Sequence, residues 1–152
     1  MNWRALGLGV AMVLVVAACG GGGGGASNPT PSAQAIPFTL KAVDNNGVSG
    51  DGTITKMSGK FTVTLRLKGL VANSSHMSHI HKGSCAPASQ GDVVIVLENV
   101  KADGAGSGTA TTSISHPYSV PSTGWYVNVH AGPDFSKAEY VDSIACGDLT
   151  AG

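Results

Sequence analysis

Charge is sparse in this 152-residue chain: nine Lys plus Arg, nine Asp plus Glu and a formal net charge of zero. With 12% charged residues there is no basic patch for a nucleic-acid backbone, and nucleic acid is not an expected partner. Aromatic residues make up 5% and no helical periodicity stands out. A Gly-x-Ser-x-Gly nucleophile elbow is missing, and so is a phosphate-cradling glycine loop, because the run Gly20–Gly25 does not follow a strand. The carboxylates Asp92, Glu98, Asp103, Glu139 and Asp142 are scattered, so an acid–base pair for glycoside hydrolysis is not in view. Cysteine is limited to three residues, Cys19, Cys85 and Cys146.

The N-terminus has the order of an export signal. Arg4 gives a positive start, Ala5 to Ala18 an apolar stretch, and Val16-Ala17-Ala18-Cys19 a small-residue cleavage site. About fourteen apolar residues fall short of the roughly 20 that cross a bilayer. Cleavage before a cysteine resembles a bacterial lipobox, which implies a signal peptide over 1–18 and lipidation of Cys19. The glycine run and the Ala, Ser, Asn, Pro, Thr and Gln residues up to Ile36 suit a flexible tether over 19–36. The expected location is the bacterial cell envelope, extracytoplasmic, with the lipid anchor in the membrane.

From Pro37 to Gly152 the pattern is all-β. Phe61, Val63, Leu65 and Leu67 alternate with Thr62, Thr64, Arg66 and Lys68, the period-two signature of a half-buried strand. Strands are expected over 38–43, 52–57, 61–69, 77–81, 93–98, 109–114 and 125–130. Turn formers separate them at Asp44-Asn-Asn-Gly47, Ser58-Gly59-Lys60 and Asp103-Gly-Ala-Gly106. Such a series reads as one antiparallel sandwich or flattened barrel.

Chemistry concentrates in His76-Met-Ser-His79-Ile-His81 and in Val129-His130. Residues two apart on a strand share a face, so His79 and His81 can hold one ion while Ile80 enters the core. In the later strand Trp125, Val127 and Val129 alternate with Tyr126, Asn128 and His130, which puts His130 outward as well. If the strands are neighbours, three imidazoles meet on the outer surface of the fold, a donor set for copper or zinc rather than calcium or magnesium. The affinity order favours copper. Merely solvated histidines are the alternative at each position. His76 reads as an internal hydrogen-bonding residue, His116 as a surface histidine or an extra ligand, and Asp134 as a turn residue. With Cys19 lipidated, Cys85 and Cys146 form an even pair in an oxidising compartment; a bridge would close about sixty residues, worth about 4 kcal/mol. Two unpaired thiols are the alternative.

Phe38 to Leu149 resembles the Cu/Zn superoxide dismutase family. The matching pieces are Gly52-Thr-Ile-Thr, Gly69-Leu70, His76-x-x-His79-x-His81, Gly83-Ser-Cys85-Ala-Pro, Val129-His130-Ala and Ile144-Ala-Cys146-Gly147-Asp-Leu. The resemblance implies an eight-stranded Greek-key, immunoglobulin-like sandwich with copper on His79, His81 and His130. It also implies a supporting role for His76 and a Cys85–Cys146 disulfide. Between Cys85 and Val93, however, the chain has only Ala-Pro-Ala-Ser-Gln-Gly-Asp, so the family's zinc ligands are missing and zinc is not expected. Ser143 stands where the family has its substrate-guiding arginine. The CHRD domain is resembled too, on Gly124-Trp-Tyr-Val-Asn-Val-His130 and His79-Ile-His81-Lys-Gly83. The expectations are therefore a copper-only superoxide dismutase of low activity, with superoxide as substrate, or a non-enzymatic copper-buffering lipoprotein with copper ions as its partner. A CHRD-like structural sandwich without metal is the third.

Overall fold

A computed structural model describes residues 33–86 and 91–152. The expected signal, the lipidated Cys19 and the glycine run lie outside these residues. Among the described residues eight strands follow one another: β1 Gln34–Ala42, β2 Ser49–Met57, β3 Lys60–Lys68, β4 Ser75–Lys82, β5 Val93–Lys101, β6 Gly108–Ile114, β7 Trp125–His130 and β8 Ser143–Leu149. A 3-10 turn, Ala138–Tyr140, precedes β8. Each expected strand is found, most of them longer by a few residues. Gln34, Ala35 and Ile36 were expected in the tether but form the start of β1, where Ile36 is buried in the core. The residue pattern omitted β8, because Ala145-Cys146-Gly147 has no polar alternation; only the family resemblance implied it.

All the pairings are antiparallel, in the order β5-β4-β7-β8-β1-β2-β3-β6. Two four-stranded layers result, joined where the end of β1 pairs with β8 through Lys41↔Cys146 and Ala42↔Ala145. The opposite seam is nearly closed by the bridge Ala102↔Gly108 and by the Glu98 N–H donating to Thr112 Oγ1 at 2.8 Å. The expected Greek-key sandwich, or flattened barrel, is thus the fold.

Turn chemistry sets the registers. Asp44 and Asn45 both have φ of 54°, a left-handed conformation that short polar side chains tolerate better than most. In the β5–β6 turn, Asp103 Oδ1 accepts from the N–H groups of Ala105 and Ser107, and these bonds hold its carboxyl below the usual range.

Phe61, Val63, Leu65 and Leu67 fill the core from β3 as the alternation requires. From the other layer come Ile80, Val127 and Val129, each with no exposed surface. At about 1.5–3 kcal/mol for each fully buried side chain, they fix β4 and β7 to the core. The strands that carry the histidines are therefore rigid supports.

Candidate metal centre

His79 and His81 on β4 and His130 on β7 converge. Their ring centroids are 5.7 Å (79–81), 5.2 Å (79–130) and 5.9 Å (81–130) apart. One nitrogen from each lies within 4.8 Å of the others. Small side-chain rotations would bring that spacing to the roughly 3.3 Å expected for nitrogens sharing one tetrahedral ion. Adjacency of β4 and β7 makes this happen: His79 pairs with Asn128 and His81 with Tyr126, so Tyr126, Asn128 and His130 share the face of the two β4 histidines.

The expected outer-surface location is corrected. His79, His81 and His130 are only 3%, 7% and 5% exposed. Two chain segments cover the face. After β7 the chain folds back, with Met77 N–H donating to Gly132 O at 2.8 Å and Gly132 N–H to Tyr140 O at 3.1 Å. Glycine is required at 132, because a Cβ there would stand 2.1 Å from the Tyr140 ring. This fold-back lays Phe135 parallel to His79, centroids 5.6 Å apart and planes 3° apart, although Phe135 itself stays 62% exposed. On the other side Tyr126 stacks on His81 at 5.2 Å. Val96, cross-strand from His79, and Val93, cross-strand from His81, add exposed apolar surface. The cluster is buried and polar, with apolar side chains around it.

Backbone carbonyls fix the rings. His81 Nδ1–H donates to Gly91 O at 2.7 Å, and His130 Nδ1–H donates to Val141 O at 2.6 Å. A carbonyl can only accept, so in both rings Nδ1 carries a proton and Nε2 is the nitrogen left for a ligand bond. That Nε2 of His81 is buried without a partner, and so is His79 Nδ1. Orphaned buried polar atoms are costly and uncommon, and a shared ion would satisfy them. Burial first, then the neighbouring His130 and His81 rings, pulls the His79 pKa down to about 4. His130 is also lowered, mainly by burial, with the Val141 carbonyl opposing and the His81 ring assisting. At neutral pH His79 and His130 are thus uncharged imidazoles, the ligand form.

His76 is outside the cluster, as its reading as an internal group required. Its Nδ1–H donates to the carbonyl of His130 at 2.9 Å and its Nε2 lies 2.5 Å from Ser74 Oγ, so it ties β4 to the end of β7. His116 is not a further ligand. It is exposed after β6, in the opposite layer, with its ring edge-on to Phe61 at 5.5 Å. Asp134 caps its own turn, accepting from Ser136 N–H at 2.8 Å. Cys85 and Cys146 form the expected disulfide, with Cα atoms 5.7 Å apart, which ties the segment after β4 to β8.

Three participants were not read from the sequence. Gly91 and Val141 act through carbonyls, which leave no trace in residue type, and Phe135 arrives by the fold-back. Asn128 was legible: it is two residues before His130 on the same face. Its Oδ1 accepts from Ser143 Oγ–H at 2.8 Å. Ser143 therefore orients an amide.

The sequence pattern of the CHRD domain matches residues 32–133, well over half of the chain. The match takes in β1 to β7 and all three clustered histidines, and ends before Phe135, Val141 and β8. It falls on the second of the two families that the sequence resembles. Comparison with curated proteins gave no match.

Proposed function

Because the chain belongs to the CHRD domain family and folds three imidazoles into one buried cluster, we propose that it is a copper-binding module of the cell envelope. In this reading the ion is captured by His79 Nδ1, His81 Nε2 and His130 Nε2, and the domain is tethered through a lipid on Cys19. The observation that carries it is the pair of orphaned buried nitrogens, His79 Nδ1 and His81 Nε2, beside His130. Three imidazole nitrogen donors suit copper in either oxidation state, and copper outranks zinc in affinity for such a set. The Cys85–Cys146 disulfide supports placing the domain in an oxidising, extracytoplasmic compartment.

The protein's own groups do the holding. The Gly91 and Val141 carbonyls set two ring orientations, His76 grips the His130 backbone, and Phe135 shields His79 from water. Copper, when bound, supplies one-electron redox chemistry. Slow superoxide dismutation is the second reading, favoured by the correspondence of His76, His79, His81 and His130 to the dismutase motif. Against rapid turnover stands the neutral Ser143 where a guiding cation would be.

Copper titration of the chain, with bound metal counted after gel filtration, tests the proposal. One ion per chain is expected, and loss of that ion in His130→Ala. Equal copper in the two proteins would reject it. Superoxide removal no faster than by the same concentration of free copper would leave binding and remove the enzyme.

A further inference from the structure

Asn128 occupies the middle of the histidine face. It is cross-strand from His79, two residues from His130 and 5% exposed. The Ser143 hydroxyl donates to its Oδ1, which leaves Nδ2 directed into the cluster, toward His130 Nε2 at 3.4 Å. Good N–H hydrogen bonds lie at about 2.7–3.2 Å, so this buried donor is poorly used. It also points at a lone pair that a bound ion would take, which would leave the amide without that acceptor. Val93, Val96 and Phe135 on the rim have no donor to offer.

We propose that Asn128 is the group that selects what occupies the coordination position left open by the three imidazoles. Held by Ser143, its amide donates a hydrogen bond to a small anionic ligand on the metal. The inference rests on the copper-binding reading above. Burial of the three imidazoles and of Asn128 to 3–7% exposure restricts the ligand to a small one, and the amide favours a species with lone pairs next to the metal, such as hydroxide or a two- or three-atom anion. A neutral donor does this without placing a cation near the ion. Asn128 is a positioning residue for the metal's ligand, not a ligand itself.

Azide titration of the Cu(II)-loaded full chain, followed by its charge-transfer absorption and by electron paramagnetic resonance, is the test. Asn128→Leu should keep one copper per chain and bind azide about tenfold more weakly, the loss expected for one hydrogen bond to a charged partner. Ser143→Ala, which frees the amide to turn, should weaken azide by a smaller factor with copper content unchanged. Azide affinity within twofold of the parent in a copper-loaded Asn128→Leu overturns the inference. Should Asn128→Leu not fold, unaltered azide affinity in Ser143→Ala overturns it and a reduced affinity supports it. A parent chain that holds copper but takes no azide overturns the inference and leaves the copper reading standing. A parent chain that holds no copper defeats that reading first.

Discussion

The carbonyl oxygen of Gly91 lies 2.7 Å from Nδ1 of His81, ten residues earlier, and so decides which nitrogen of that ring is free. The approach depends on a missing side chain, because a Cβ at Gly91 would stand 1.6 Å from the Lys82 carbonyl oxygen.

Gly91→Ala should therefore displace that carbonyl and release the His81 ring while the strands stay intact. Loss of an orienting partner of a metal-bound histidine costs about 10- to 100-fold in affinity. Competition with a copper chelator should show a drop of that order, with an unchanged far-ultraviolet circular dichroism spectrum. An unaltered affinity would mean that the ring needs no such guide.

Phe135 is mostly exposed yet stacked on His79. Phe135→Ala should change folding stability by less than about 1 kcal/mol, since little of the ring is buried. Copper removal by a chelator should speed up several-fold in stopped-flow measurements. The same removal rate in both proteins would deny the ring its shielding role.

The metal-free protein should lose stability in acid. His79 has its folded pKa near 4 and an unfolded value near 6.5. Between those values the unfolded chain binds a proton that the folded chain does not, so unfolding free energy rises with pH across that window and falls as the solution is acidified through it. After allowance for partial solvent screening the change is on the order of 1–2 kcal/mol. Urea midpoints at pH 7 and pH 4.5 measure it, and His79→Gln should flatten the difference. Bound copper should also be released over the acid range, because protons compete for the same lone pairs.

Reduction of Cys85–Cys146 opens a loop with a sequence separation of 61. In the chain-entropy model the double substitution Cys85→Ser/Cys146→Ser should lower stability by about 4 kcal/mol. Urea unfolding of the two proteins gives the value directly, and a loss below about 1 kcal/mol would show that the unfolded chain gains little freedom.

Much was fixed by local pattern. Alternation at Phe61, Val63, Leu65 and Leu67 named a strand and its buried face, and polar residues at 44–47, 58–60 and 103–106 named the turns. The pair His79 and His81, on the face opposite Ile80, follows from the period of two of an extended strand, which keeps them together although the pairing of β4 with β5 shifts between Ile80 and His81. Local pattern did not determine that β4 would lie beside β7, since strand order depends on packing between segments far apart in sequence. Nor did it reveal that the histidine face would be covered. Alternation says which side is away from the core, while the fold-back of residues 131–142 and the Gly91 carbonyl decide whether water reaches that side. Burial of the three imidazoles, their proton positions and the placement of Asn128 between them are therefore properties of the tertiary structure, because each depends on a contact between groups that only the completed barrel brings within hydrogen-bonding distance.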